Sequence, residues 1–142
     1  MDFSSMSGWD FERYCADCLL KKGFTKAEVT SGSGDHGVDI IAEQNGIRFG
    51  IQCKLYQGQI PNKAVQEAYT GASYYDCDVA VIMSNSELTR QAQVEAKNFE
   101  LNFGILQIIY QRQTGRPRKK EKFHLQTRKC LMKIFLQKVK IN

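Results

Sequence analysis

The dipeptide Asn45-Gly46, set between two apolar-rich runs, constrains this 142-residue chain more than any other feature. Asn-Gly is the preferred pair for a two-residue type I′ hairpin, because both central residues take positive φ, and so short a turn fixes the register. Facing residues must then carry numbers that add to 91. With Val38 to Glu43 and Ile47 to Leu55 as the strands, Val38 faces Cys53, Ile40 faces Ile51 and Ala42 faces Phe49, all apolar. On the other face Asp39 meets Gln52 and Glu43 meets Arg48, with Lys54 diagonally beyond Gln52 towards Asp39. Directly opposed Cβ atoms lie about 5 Å apart and diagonal ones about 7–8 Å, so Asp39, Gln52 and Lys54 are expected to cluster. Glu43 and Arg48 suit a solvated face. Asp39 and Lys54 sit among Val, Ile, Cys and Leu instead, where partly buried charges need partners.

The remaining chain punctuates cleanly. Ser7 is placed to cap a helix that Gly23 ends, with Phe11, Tyr14, Cys15, Cys18 and Leu19 on one stripe. A short polar strand, Thr25 to Ser31, and a loop through Gly34-Asp-His-Gly37 lead into the hairpin. Asn62 to Tyr75 reads as a second helix, Asp78 to Met83 as a strand covered on both faces, Thr89 to Leu101 as a third helix and Ile105 to Tyr110 as a last core strand. The order α-β-β-β-α-β-α-β implies an α/β sandwich with a mixed sheet.

The formal charge of +5 hides an asymmetry. From Arg112 onward eleven cations face one acid, Glu121, for a net +10, which leaves residues 1–111 at −5. A basic segment of this kind suits a polyanion, so the chain divides into a body over 1–111 and a basic C-terminal extension over 112–142. No apolar run reaches the roughly 20 residues that span a bilayer, and the start lacks a signal-peptide layout, so a soluble cytoplasmic protein without a membrane partner is expected. Five cysteines at irregular spacing suit free or buried thiols. Cys15 and Cys18 lie within the helix stripe, which favours a core role over a zinc site.

Glu12 lies roughly 90° from the centre of the first helix's stripe, on the flank that can reach a sheet edge. Two acids, an amide oxygen and a lysine suit one task. Mg²⁺ takes a few hard oxygen ligands and keeps waters, and beside a lysine it serves phosphodiester hydrolysis.

Gly34-Asp-His-Gly-Val-Asp-Ile-Ile41, then Gln52-Cys-Lys54, with Gly8-Trp-Asp-Phe-Glu12 upstream, resembles the Mrr-like restriction endonucleases of the PD-(D/E)xK superfamily. The likeness extends to Val65-Gln-Glu-Ala and Ser84-Asn-Ser. It implies a restriction-endonuclease-like three-layer sandwich, a mixed central sheet flanked by helices, and a Mg²⁺-dependent DNA endonuclease of restriction or defence type, with Mn²⁺ as an alternative metal. Asp39 would be the main metal ligand, Glu12 a second, and the Cys53 carbonyl a third. Gln52 stands where the wider superfamily usually has an acid, which removes one negative charge, and Lys54 is the catalytic lysine. Asp35 is a rival acid and Gln66 an auxiliary residue. Arg116, Arg118, Lys119, Lys120 and Lys122 of the basic segment, with His36, are the candidate DNA contacts. After the third helix the family's acidic turn is replaced by Asn102-Phe-Gly-Ile-Leu running into that segment. The alternatives are a structure-selective nuclease of the Holliday-junction type and a non-catalytic DNA-binding module. A homodimer is the expected assembly if one small site per chain is to cut duplex DNA.

Overall fold

The Asn-Gly turn organises the sheet as the sequence implies, in a computed structural model that describes residues 3–30, 34, 36–98 and 109–112. Asn45 and Gly46 both have positive φ, and the pairs run Gln44↔Ile47, Glu43↔Arg48, Ala42↔Phe49 and Ile40↔Ile51. The elements are α1 (Gly8–Lys21), β1 (Lys26–Val29), β2 (Ile40–Gln44), β3 (Ile47–Lys54), α2 (Asn62–Tyr74), β4 (Val79–Ser84), α3 (Arg90–Asn98) and β5 (Ile109–Arg112). This is the expected order. Helix α1 begins where Ser7 caps it, the Ser7 hydroxyl accepting from the Asp10 amide at 3.1 Å and donating to the Asp10 carboxylate at 2.6 Å.

The sheet is mixed, in the order β1-β2-β3-β4-β5, with only β3 and β4 parallel. A parallel pair needs a crossover, and α2 supplies it. Alternate residues of a strand face opposite ways, so β3 has two distinct faces. Phe49, Ile51 and Cys53 face the α1 layer, where Phe11, Cys15 and Leu19 are buried. Gly50, Gln52 and Lys54 face α2, which buries Ala64, Val65, Ala68, Gly71 and Ala72. The protein is therefore a three-layer α/β sandwich. Among the described residues no helix is long and apolar enough to cross a membrane.

Two expected pairings are corrected. The expected pairing of Val38 with Cys53 and of Asp39 with Gln52 does not form, because β2 starts at Ile40 and the ladder breaks there. The Asp39 amide donates to the Ile51 carbonyl at 2.7 Å, while the Cys53 amide donates to the Asp39 carboxylate at 2.6 Å. Val38 is consequently buried with Ile41, Ala72, Cys77 and Ala80, on the opposite side from Ile40. The last strand is described at Ile109–Arg112, antiparallel to β4. Of the expected strand Ile105 to Tyr110, residues 105–108 lie outside the described residues.

Candidate active site at the end of the hairpin

Asp39 is held from both sides. Its carboxylate Oδ2 takes the Cys53 amide, and its own carbonyl accepts from the Thr30 amide at 2.8 Å and the Thr30 hydroxyl at 3.2 Å. Thr30 also donates to the Val38 carbonyl at 2.9 Å. The loop before Asp39 lies directly on α2. A Cβ on Gly37, whose φ is +83°, would come within 2.7 Å of the Glu67 carbonyl oxygen, and a Cβ on Gly71 would collide with that of His36. Only glycine at both positions allows this approach.

Gln52 and Lys54 point towards α2 and converge on one carboxylate. The Gln52 amide donates to Glu67 Oε2 at 3.2 Å, and the Lys54 ammonium reaches the same oxygen at 3.1 Å. Lys63 approaches the other oxygen at 3.7 Å. Burial works to raise the Glu67 pKa, but the hydrogen bonds from Lys54 and Gln52 and the charges of Lys54 and Lys63 outweigh it and hold the carboxyl below its ordinary value. The strand end carrying Lys54 is anchored in turn, since Ser84 donates to the Lys54 carbonyl at 2.7 Å and Asn85 exchanges two hydrogen bonds with the Tyr56 backbone.

Gln52 is 5% exposed, and its carbonyl oxygen Oε1 is buried without a hydrogen-bond partner. Glu67 explains the orientation. A carboxylate only accepts, so the amide must turn its NH₂ to Glu67 and its oxygen away. Among the described residues no three His, Cys, Asp or Glu side chains gather as a metal cage. Any cation here would rely on amide or main-chain oxygens beside the acids, and the orphaned Gln52 oxygen fits that need.

Glu12 and Cys53 lie towards α1. The Cys53 thiol is hydrogen bonded with Cys15. That contact, then burial, then the charges of Asp39 and Glu12 push it well above the ordinary thiol range. Both acids therefore bear on the same point of β3, while the partly buried Cys53 side chain packs against the core.

The remaining expectations fare differently. Gln66 is exposed and donates to Glu95 of α3 at 2.7 Å, so it turns away from the site. Its neighbour Glu67 takes the place given to it. Helical geometry carries the signal: taking the buried stripe Ala64, Val65, Ala68, Gly71 and Ala72 as the reference, Gln66 falls about 160° from its centre and Glu67 about 100°. His36 is exposed, has φ +48°, and stacks on Tyr74 with ring centroids 3.8 Å apart. Asp35 and the basic residues Arg116, Arg118, Lys119, Lys120 and Lys122 lie outside the described residues.

A mixed sheet between helical layers, with an acid, an amide and a lysine at the end of one hairpin, is the class of a PD-(D/E)xK nuclease. Residues 3–108 match the family described as restriction endonuclease, of the Mrr catalytic type. The chain belongs to that family, the Mrr-like restriction endonucleases. No curated protein matches the sequence significantly. Among solved structures, the crystal structure of a protein of unknown function, AF1548, is similar to it with a TM-score of 0.52 and 16% identity, covering 84% of this chain and 77% of that one. That likeness speaks for the fold.

Proposed function

We propose that the chain is a Mg²⁺-dependent DNA endonuclease of restriction or defence type, hydrolysing phosphodiester bonds at the cluster of Glu12, Asp39, Gln52 and Lys54. The observation that carries this reading is the Gln52 carbonyl oxygen, buried and unsatisfied. Such a group costs about 1–3 kcal/mol unless a cation or water meets it. Asp39, Glu12, Gln52 Oε1 and the Cys53 main-chain carbonyl are the oxygens that would hold the metal, with Mn²⁺ as a substitute. Bound Mg²⁺ would supply an acidified water and neutralise charge growing on the phosphate. The chain's own contribution is placement. Thr30 and the Cys53 amide fix the Asp39 carboxylate, and Lys54 holds a cation at the same strand end, suited to orienting a nucleophile or balancing the phosphate. In this reading residues 1–111 form the catalytic body, and the segment 112–142 holds DNA through Arg116, Arg118, Lys119, Lys120 and Lys122, with His36 near the site.

Supercoiled plasmid incubated with the full chain and Mg²⁺ tests the chemistry. Wild type is expected to nick it, and Lys54→Ala to lose roughly 10²–10⁴-fold in rate, the usual worth of a positioned proton-transfer group. Equal nicking by both proteins would overturn the reading. Replacing the five basic residues with Gln tests the holding segment. If all five contact duplex phosphates, the slope of log K against log salt should fall by about 4.5.

A further inference from the structure

Glu67 lies in the Val65-Gln-Glu-Ala stretch of α2 and is the side chain on which Gln52 and Lys54 converge. Its contacts differ in kind. Lys63, 80% exposed and 3.7 Å away, makes the ordinary solvated pair of neighbouring helix turns. Lys54 and Glu67 are only 29% and 34% exposed, 3.1 Å apart, and linked across from β3 to α2. Gln52, bonded to the same oxygen, is almost fully buried. A surface pair of no consequence would not be built around a buried amide.

The chemistry of position 52 gives the arrangement its sense. Glutamine there brings an oxygen but no charge, and its two ends are nearly the same shape, so it can present either NH₂ or oxygen to the hairpin end. One acceptor on α2 removes that freedom. It also sets a full negative charge one hydrogen bond behind the neutral ligand.

We propose that Glu67 is a positioning residue that supplies from α2 the charge Gln52 lacks, locking the Gln52 oxygen towards the metal site and Lys54 beside it. This rests on the nuclease reading. The acid of the hairpin is in effect moved back by one residue, with the amide relaying it. If Glu67 were simply a stabilising surface acid, Glu67→Gln would cost the site as much on a Gln52→Glu background as on the wild type, because a carboxylate at position 52 serves a metal by itself.

The test is a charge exchange in the full-length protein. Glu67→Gln and Glu67→Ala should each lower plasmid nicking about 10–100-fold, as loss of a residue supporting a metal ligand commonly does. Both should also raise the Mg²⁺ concentration at which the melting temperature responds. The double variant Gln52→Glu/Glu67→Gln, which reverses the pair while keeping one hydrogen bond and one charge, should recover most of both losses. Glu67 variants that match wild type in the Mg²⁺ titration, or a Glu67→Gln loss as large on a Gln52→Glu background as on the wild type, would overturn the proposal. Wild type that neither nicks nor responds to Mg²⁺ would instead sink the nuclease reading. The clamp is then decided in metal-free protein by the cycle of Lys54→Met with Glu67→Gln. Additive losses of stability overturn it, and non-additive losses uphold the coupling.

Discussion

Helices α1 and α2 cover the same hairpin from opposite sides, and they do so with different residues. Helix α1 meets the sheet through Phe11, Cys15 and Leu19, large enough to fill a layer. Helix α2 meets it through Ala64, Ala68, Gly71 and Ala72, opposite Gly50, where an added Cβ would lie 3.1 Å from the Ala72 Cα. The close approach of α2 allows a side chain as short as Glu67 to bond Gln52 and Lys54 directly. On the α1 side a link to the site is the thiol contact of Cys15 with Cys53, and the charge of Glu12 acts on that thiol. One helix mainly builds the core, while the other mainly sets the geometry of the site.

Substitution should separate these roles. Phe11→Ala is expected to cost the most stability, about 3–5 kcal/mol for an aromatic fully buried in the α1 layer, read as the shift of a urea midpoint. Gly71→Ala should cost less, roughly 1–3 kcal/mol of overpacking, yet harm cleavage more, because the His36 carbonyl must move and carries the loop before Asp39 with it. If Gly71→Ala cleaves plasmid like wild type at a temperature where both are folded, α2 does not set the site. Acid titration gives a smaller effect. The folded Glu67 carboxyl lies below its ordinary value of 4.5, so its contribution is complete above that pH and is lost as pH falls through the lower, folded value. The stability gap between wild type and Glu67→Gln should therefore be steady near neutrality and shrink in acid. A gap independent of pH would mean that the Glu67 charge is not what binds α2 to Lys54 and Gln52.

The hairpin shows how far periodicity carries and where it stops. From Gln44↔Ile47 to Ile40↔Ile51 the turn dictates every pair, since a one-residue slip would expose the apolar set. At Asp39 the rule ends, because a carboxylate takes the Cys53 amide and no hydrophobic pattern records a side chain standing in for backbone. Asp39, Gln52 and Lys54 were legible as residues that belong at one strand end. The partner that joins two of them was not, because Glu67 sits on a helix flank where a glutamate ordinarily meets water. Its angle on the helix marks it, as the angle of Glu12 does on α1, and sets it apart from Gln66, which bonds α3, while contact with the sheet shows what it holds. The element order was fully legible, since the apolar run of β4 and the turn residues leave few topologies open.

The helix starts carry the same contrast at the smallest scale. Ser7 caps α1 with its own hydroxyl, whereas Pro61 stands at the start of α2 with no side-chain bond to give. That end is held instead by backbone, as the Ile60 amide donates to the Glu87 carbonyl at 2.8 Å and the Thr89 amide to the Ile60 carbonyl at 2.9 Å. Ser7→Ala should thus lose about 1 kcal/mol, the usual worth of a cap. Pro61→Ser would gain a cap of similar size but release the unfolded chain from proline's fixed φ, which costs about 0.4–1 kcal/mol, so its net effect should be near zero. Melting both variants beside wild type separates the cases. A Pro61→Ser loss as large as that of Ser7→Ala would mean that the rigid entry to α2, rather than the backbone bridge behind it, keeps the helix seated on Gln52 and Lys54.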